Sequence, residues 1–158
     1  VSHEHHYECR LTWTGASHGG TTSLKAYSRA HEIVVPGKPI LQLTADPTFG
    51  GDAAITNPED LLLAALSSCH FLSYAALCAR KQIVLVSYED EASGKMEMSA
   101  GKIRFTDVLL RPRAVISSGD LDLAKKLHAN AHAECFIASS VNFPVRHEAV
   151  VLLRDSAK

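Results

Sequence analysis

Apolar residues crowd one stretch of this chain more densely than any other: from Leu61 to Ala79 almost every position is Leu, Ala, Ser, Phe or Tyr. A helix with that composition has no polar face wide enough to lie on a surface, so the pattern predicts a long central helix buried on most sides. Its start is marked as well. Thr56 or Asn57 offers a cap, Pro58 fits the first turn because its missing N–H has no partner to lose there, and Glu59 completes a Thr-x-x-Glu capping box with Thr56. The helix so predicted runs from Thr56 to Lys81, and the other elements are expected to pack around it.

Upstream of it, Tyr7, Cys9, Leu11 and Trp13 alternate with Glu8, Arg10, Thr12 and Thr14, the period-two pattern of a strand with one buried face, which would turn Cys9 inward beside Trp13. Residues 15–20 read as a turn, and strand character resumes between Ser23 and Val35. The turn Pro36-Gly37-Lys38-Pro39 leads into the short apolar run Ile40 to Leu43, so an antiparallel meander is expected at this end. Residues 45–55, rich in Asp, Pro and Gly, form a loop that delivers the chain to the helix. Past Lys81 the pattern predicts strands at 83–88, 96–98, 103–110 and 114–116. Ser118-Gly119-Asp120 caps a second, amphipathic helix reaching about His132, with Leu121, Ala124, Leu127, His128 and Ala131 on one stripe. Residues 145–153 supply a last strand. With no repeat and no interdomain linker, residues 1–158 read as one α+β domain.

Composition then narrows the partners. A formal net charge of -1 gives no broad attraction for nucleic acid or an anionic membrane, and neither is expected as a partner. The start VSHEHHYECR lacks the basic and apolar regions of a signal peptide, and the long apolar run carries His70 and several serines, so a soluble protein is expected. Four cysteines, at positions 9, 69, 78 and 135, are too scattered for a disulfide scaffold and favour a reducing compartment, the cytoplasm.

Two segments carry candidate chemistry. One is Ser67-Ser68-Cys69-His70 within the apolar helix, where Cys69 is either inert filler or a tuned nucleophile. The other is His128-x-x-x-His132-x-x-Cys135 at the end of the second helix. Cys78 lies nine residues past Cys69, rotated by about 180° on the same helix, and reads as core. Since His128 and His132 are four apart and Cys135 follows by three, a zinc site with Cys69 as fourth ligand is one reading, although no zincin HExxH motif is present. Glu59 stands ten residues before Cys69, a rise of roughly 15 Å along a helix, so it cannot touch that thiol on its own helix.

The segments NPEDLLLAALSSCH and AHAECFIASSVNFPV resemble those of the OsmC/Ohr family of thiol peroxidases, the osmotically inducible and organic hydroperoxide resistance proteins, and the likeness extends over nearly the whole chain in the order of its elements. That resemblance implies an intertwined homodimer, with antiparallel sheets around the long central helices and two sites at the subunit interface. It also implies an enzyme without a cofactor or metal, a thiol-dependent peroxide reductase acting on organic hydroperoxides and less well on hydrogen peroxide. By resemblance Cys69 is the attacking thiol, Cys135 the resolving one, Arg29 the activating cation and Glu59 the carboxylate that holds it, while His70 and His132 belong to the pocket or its surroundings. Relatives of the osmotically inducible subgroup often carry the Arg in the loop before Asn-Pro-Glu, where this chain has Phe49-Gly50-Gly51; Arg29 corresponds to the placement in the organic hydroperoxide subgroup. The implied reductant is a dithiol of lipoyl or thioredoxin type. A binding protein on the same scaffold, without peroxidase activity, is the alternative.

Overall fold

The computed structural model describes residues 4–154. The chain divides into two compact units, the first ending at Leu61 and the second beginning at Leu62.

The first unit is the expected meander. Strands β1 (Arg10–Trp13), β2 (His31–Val34) and β3 (Leu41–Leu43) pair antiparallel in that order, with Leu11 opposite Ile33 and Ile33 opposite Leu41. Strand structure is confined to His31–Val34 of the longer run expected there, and Arg29 lies just before it. Cys9 is exposed instead of inward, and Leu11 and Trp13 are exposed with it. The alternation describes two faces correctly, but a three-stranded sheet with little beneath it covers neither. Between β3 and the helix, Asp46 caps a short 3-10 turn at Pro47–Phe49, which ends on Gly50 at a positive φ of 83°.

Helix α1 (Pro58–Arg80) opens at the end of this unit. Its N-terminus is closed by a reciprocal box one residue later than the sequence suggested: Asn57 Oδ1 accepts from the Asp60 N–H at 2.9 Å, and Asp60 Oδ2 accepts from the Asn57 N–H at 3.1 Å. Asn at the cap with a carboxylate three residues on satisfies two orphan N–H groups, the same solution as a Thr-x-x-Glu box. Glu59 is thereby released from the capping duty assigned to it.

In the second unit α1 buries one stripe, Leu66, His70, Tyr74, Leu77 and Cys78, at helical spacing. Tyr74, Leu77 and Cys78 pack with Ile83, Ala114, Ile116 and Val151 and with Ala124, Leu127 and Ala131 of α2 (Leu121–Ala133). Leu66 belongs to a smaller cluster with Val108 and Leu110. The rest of α1's apolar surface is left open by the single chain: 28% of its most apolar 18-residue window is buried. By length and composition alone this helix would also suit a membrane span.

Two three-stranded sheets complete the unit. β4 (Val84–Asp90), β7 (Pro112–Ser118) and β9 (Val150–Leu153) form one, in the order β4-β7-β9; β5 (Ser93–Ser99), β6 (Lys102–Leu110) and β8 (Val145–His147) form the other, in the order β5-β6-β8. The sheets are mixed, not purely antiparallel: β6 pairs β8 and β7 pairs β9 in parallel. The single strand expected over 145–153 is two, one in each sheet, because the chain changes sheet at Glu148-Ala149 just as its neighbour does at Arg111. At that switch the Arg111 N–H, with no ladder partner, donates to Asp90 Oδ1 at 2.7 Å, and Pro112 has no N–H to satisfy. Asp90 Oδ2 accepts from Ser67 Oγ at 2.5 Å, which anchors α1 to the same point.

Candidate active site

Cys69 and Cys135, sixty-six residues apart in sequence, meet in the second unit. Their side chains share a hydrogen bond, and both are free thiols. Cys135 follows the end of α2 in a tightly tied turn. Its N–H donates to His132 O at 3.2 Å, its carbonyl accepts from the Ser139 N–H and Oγ–H at 3.0 Å each, and its sulfur accepts from the Ala138 N–H at 3.4 Å. Burial pushes this thiol up; the Ala138 N–H opposes the rise, and the Cys69 sulfur adds to it. A thiol so held keeps its proton. Cys69, half-buried, opens onto an apolar groove of about 370 Å³ that also has Leu72, Ala76 and Phe136 in its walls, with the Arg80–Glu134 ion pair (3.6 Å) at its rim. Cys78 lies on the opposite side of α1, 1% exposed within the core, as its helical phase requires.

Arg29 and Glu59 meet in the first unit, in the wall of one cavity of about 400 Å³ together with Trp13, Tyr27, Asp46 and Phe49. Arg29 donates to the carbonyls of Tyr27 (2.7 Å) and Leu24 (2.5 Å), and its guanidinium carbon sits 4.1 Å from the Tyr27 ring centroid. These bonds, not an ion pair with Glu59, fix its orientation. Gly50 gives it room: a β-carbon there would stand 3.0 Å from the guanidinium carbon, and the residue's positive φ already disfavours any side chain. Arg29 thus occupies the space beside the Phe49-Gly50-Gly51 loop. Gly51 is equally constrained, since a β-carbon would collide with the Ala45 backbone.

The histidines gather elsewhere in the second unit. His70 Nε2 lies 3.1 Å from His128 Nδ1, with both side chains fully buried. The half-buried His132 and His147 lie with their ring centroids 6.0 Å apart. The zinc arrangement read from His128, His132 and Cys135 is not formed, for His128 turns to His70 and Cys135 to Cys69. Among the described residues no group of three or more His, Cys, Asp or Glu is arranged to hold a metal ion. Burial pushes His70 down to about 4, with His147 and His132 also lowering it and Asp90 opposing; burial, then His70 and His147, push His128 down to about 3. Both are neutral at ordinary pH.

Several residues of these sites were not singled out from the sequence. Trp13 and Tyr27 in the Arg29 cavity appeared only as strand residues, Gly50 as loop, and His147 as part of a continuous strand. The usable signal was the abundance of histidine, nine in the chain, several at apolar positions of predicted helices and strands.

A model of the OsmC-like protein family matches residues 50–149, which include α1, both thiols and α2. An OsmC-like protein of unknown function from Vibrio cholerae has a solved structure that is 33% identical, with a TM-score of 0.85, covering 93% of this chain and 100% of that one. The uncharacterized protein YmaD of Bacillus subtilis is 24% identical over 95% of this chain and 97% of its own length. The same fold recurs in the organic hydroperoxide resistance protein OhrB of Bacillus subtilis, at 20% identity and a TM-score of 0.60 over 92% of this chain and 98% of OhrB. The chain belongs to the OsmC-like protein family.

Proposed function

We propose that this protein is a thiol-dependent peroxidase that reduces organic hydroperoxides, and hydrogen peroxide less well, in defence against oxidative stress. The observation that carries the reading is the hydrogen-bonded meeting of Cys69 and Cys135, one thiol open to an apolar groove and the other buried and protonated. The Cys69 thiolate attacks the distal oxygen of ROOH, the O–O bond breaks, and the alkoxide takes a proton to leave as ROH, which leaves Cys69 as a sulfenic acid. The Cys135 sulfur then attacks the Cys69 sulfur, expels the hydroxyl as water with the Cys135 proton, and forms the disulfide before further oxidation can occur. A dithiol of lipoyl or thioredoxin type returns both sulfurs to thiols by exchange. Apolar walls at Leu72, Ala76 and Phe136 favour the alkyl part of an organic peroxide over hydrogen peroxide.

The cation comes from a second copy of the chain. Two observations support a homodimer: the open apolar surface of α1, and exposed Leu11, Leu24, Ile40 and Phe49 in a first unit whose fully buried apolar side chain, among the described residues, is Leu43. In that assembly Arg29 of one copy serves Cys69 of the other, and Glu59 stabilises the guanidinium within their common cavity. Four cysteines too scattered for a disulfide scaffold support a reducing compartment, the cytoplasm, as the setting of the cycle. Relatives named for organic hydroperoxide resistance, such as OhrB, share the fold and support the substrate class.

One equivalent of cumene hydroperoxide tests this directly. The wild-type chain should lose two thiols, Cys69→Ser should consume no peroxide, and Cys135→Ser should accumulate a sulfenic acid trappable by dimedone. A wild-type chain that consumes no peroxide at all would instead be a binding protein on the same scaffold.

A further inference from the structure

The histidine cluster is the largest group of buried polar side chains that the peroxide chemistry leaves unused. His70 and His128 are each 0% exposed, their rings nearly coplanar at 10° with centroids 5.4 Å apart, and Tyr74 stacks on His128 at 3.8 Å. In the neutral pair one ring N–H donates and the other ring's lone pair accepts. The two outer nitrogens, His70 Nδ1 and His128 Nε2, have no hydrogen-bond partner among the described residues of this chain. Each buried polar atom left unmatched costs about 1–3 kcal/mol, so two apolar side chains of similar size would pack here at lower cost. Stability alone does not account for the pair.

Its place in the chain does. His70 directly follows Cys69 on α1, and His128 precedes Cys135 by seven residues, across the last turn of α2 and the bend that follows it. From His128 the path to the resolving thiol is rigid: one turn along α2 to His132, whose carbonyl receives the Cys135 N–H at 3.2 Å. Apolar contacts between two helices tolerate sliding and rotation, whereas a ring-to-ring hydrogen bond holds only over a few tenths of an ångström and a limited angle. A disulfide needs sulfurs about 2.05 Å apart with β-carbons near 3.8 Å, so small errors in helix register prevent closure.

We infer that the buried His70–His128 hydrogen bond is the positioning device of the thiol pair, fixing the register of α1 against α2 and thereby the approach of Cys69 to Cys135. The inference rests on the reading of those sulfurs as a redox pair, and both histidines are positioning residues that act through the backbone of their helices. Neutral rings suit the task, and burial keeps them neutral.

The test measures disulfide closure without any peroxide. Equilibration in glutathione redox buffers, followed by mass mapping of the Cys69–Cys135 bond, gives the effective concentration of one thiol toward the other. His128→Leu keeps the packing and removes the bond, while His128→Asn keeps an amide nitrogen near the position of Nδ1. The expected result is a drop of tenfold or more in effective concentration for His128→Leu, with thermal stability unchanged or higher, and recovery to within about threefold for His128→Asn. An unchanged equilibrium in a folded His128→Leu would overturn the inference, as would equal loss in both variants. If His128→Leu does not fold, His70→Leu breaks the same bond from α1 and is paired with His70→Gln, whose amide nitrogen falls near Nε2. Should neither apolar variant fold, the wild type decides: the shared ring proton must exchange with solvent as slowly as core amides, and fast exchange would remove the bond on which the inference stands. Wild type that closes the disulfide in glutathione yet ignores hydroperoxide refutes the peroxidase and leaves the positioning role standing. Hydroperoxide turnover with an unaffected His128→Leu does the reverse.

Discussion

The two units of this chain gather different chemical groups. In the first, Arg29, Glu59 and Asp46 line a cavity walled by Trp13, Tyr27 and Phe49; its cysteine, Cys9, is exposed and lines a different cavity beside Glu8 and Arg10. In the second, Cys69 and Cys135 adjoin beside an apolar groove, and the guanidinium at its rim, Arg80, faces Glu134 at 3.6 Å. A buried thiol needs an unneutralised cation to ionise near neutral pH. Among the described residues Arg29 has carbonyl partners and an aromatic face but no carboxylate bonded to it, so its charge is not paired, whereas that of Arg80 is paired and lies in solvent where it is worth little.

The sharpest way to break this comparison is to remove each cation. Arg29→Gln is expected to lower kcat/KM for cumene hydroperoxide by about 100-fold, the size of loss usual when a charge-stabilising donor is deleted, while Arg80→Gln stays within about threefold. If the larger loss falls on Arg80, the roles of the two units are misassigned. Mixing tests where the charge comes from. Cys69→Ser and Arg29→Gln homodimers should each be nearly inactive, but randomly reassorted subunits would give half heterodimers, each with one intact site, and so roughly a quarter of wild-type activity. No recovery after verified exchange of subunits would mean that thiol and cation act within one chain.

The second unit also carries an acid sensitivity of its own, in its buried histidines. His70 and His128, held down to about 4 and about 3 in the folded protein, both bind protons near 6.5 once unfolded. The unfolded state therefore binds more protons through this window, so their contribution to stability is complete above pH 6.5 and is lost as pH falls toward 4. A fall in Tm on the order of 10 °C between pH 7 and pH 5 follows for a chain of this size. His128→Asn should flatten that slope, which a pH series of thermal melts reads directly; an equal slope would place the acid sensitivity elsewhere.

How much of this was legible beforehand depended on whether a local pattern or a distant neighbour decided the outcome. Both helices and the meander followed from periodicity and helix-start signals, and family motifs singled out Cys69 and Cys135, which the fold brings side by side. Cys9 was misplaced because alternation marks two faces without saying whether anything covers them. The run 145–153 was read as one strand because a change of sheet leaves the hydrophobic pattern almost unbroken; its marks, Arg111 beside Pro112 and Glu148-Ala149, have meaning only once the parallel pairing is known. His70 and His128 sat on apolar stripes, but nothing in a sequence says that two histidines 58 positions apart share a hydrogen bond.

The smallest expected effect separates two neighbouring carboxylates at the start of α1. Thr56 with Glu59 and Asn57 with Asp60 both satisfy the spacing of a capping box, and the structure chooses the second pair, with bonds of 2.9 and 3.1 Å. Asp60→Ala should then cost about 1 kcal/mol, lowering Tm by about 2–4 °C, and leave peroxide turnover by the folded protein unchanged. Glu59, freed from the cap and lining the Arg29 cavity, should behave oppositely: Glu59→Gln should leave Tm within about 1 °C and lower turnover instead, because it satisfies no orphan N–H and shares its cavity with the guanidinium. Melting curves and hydroperoxide assays on the two variants decide the matter together. A Glu59→Gln protein that loses stability and keeps its activity would return Glu59 to the cap, and would leave Arg29 to serve the thiols without a carboxylate beside it.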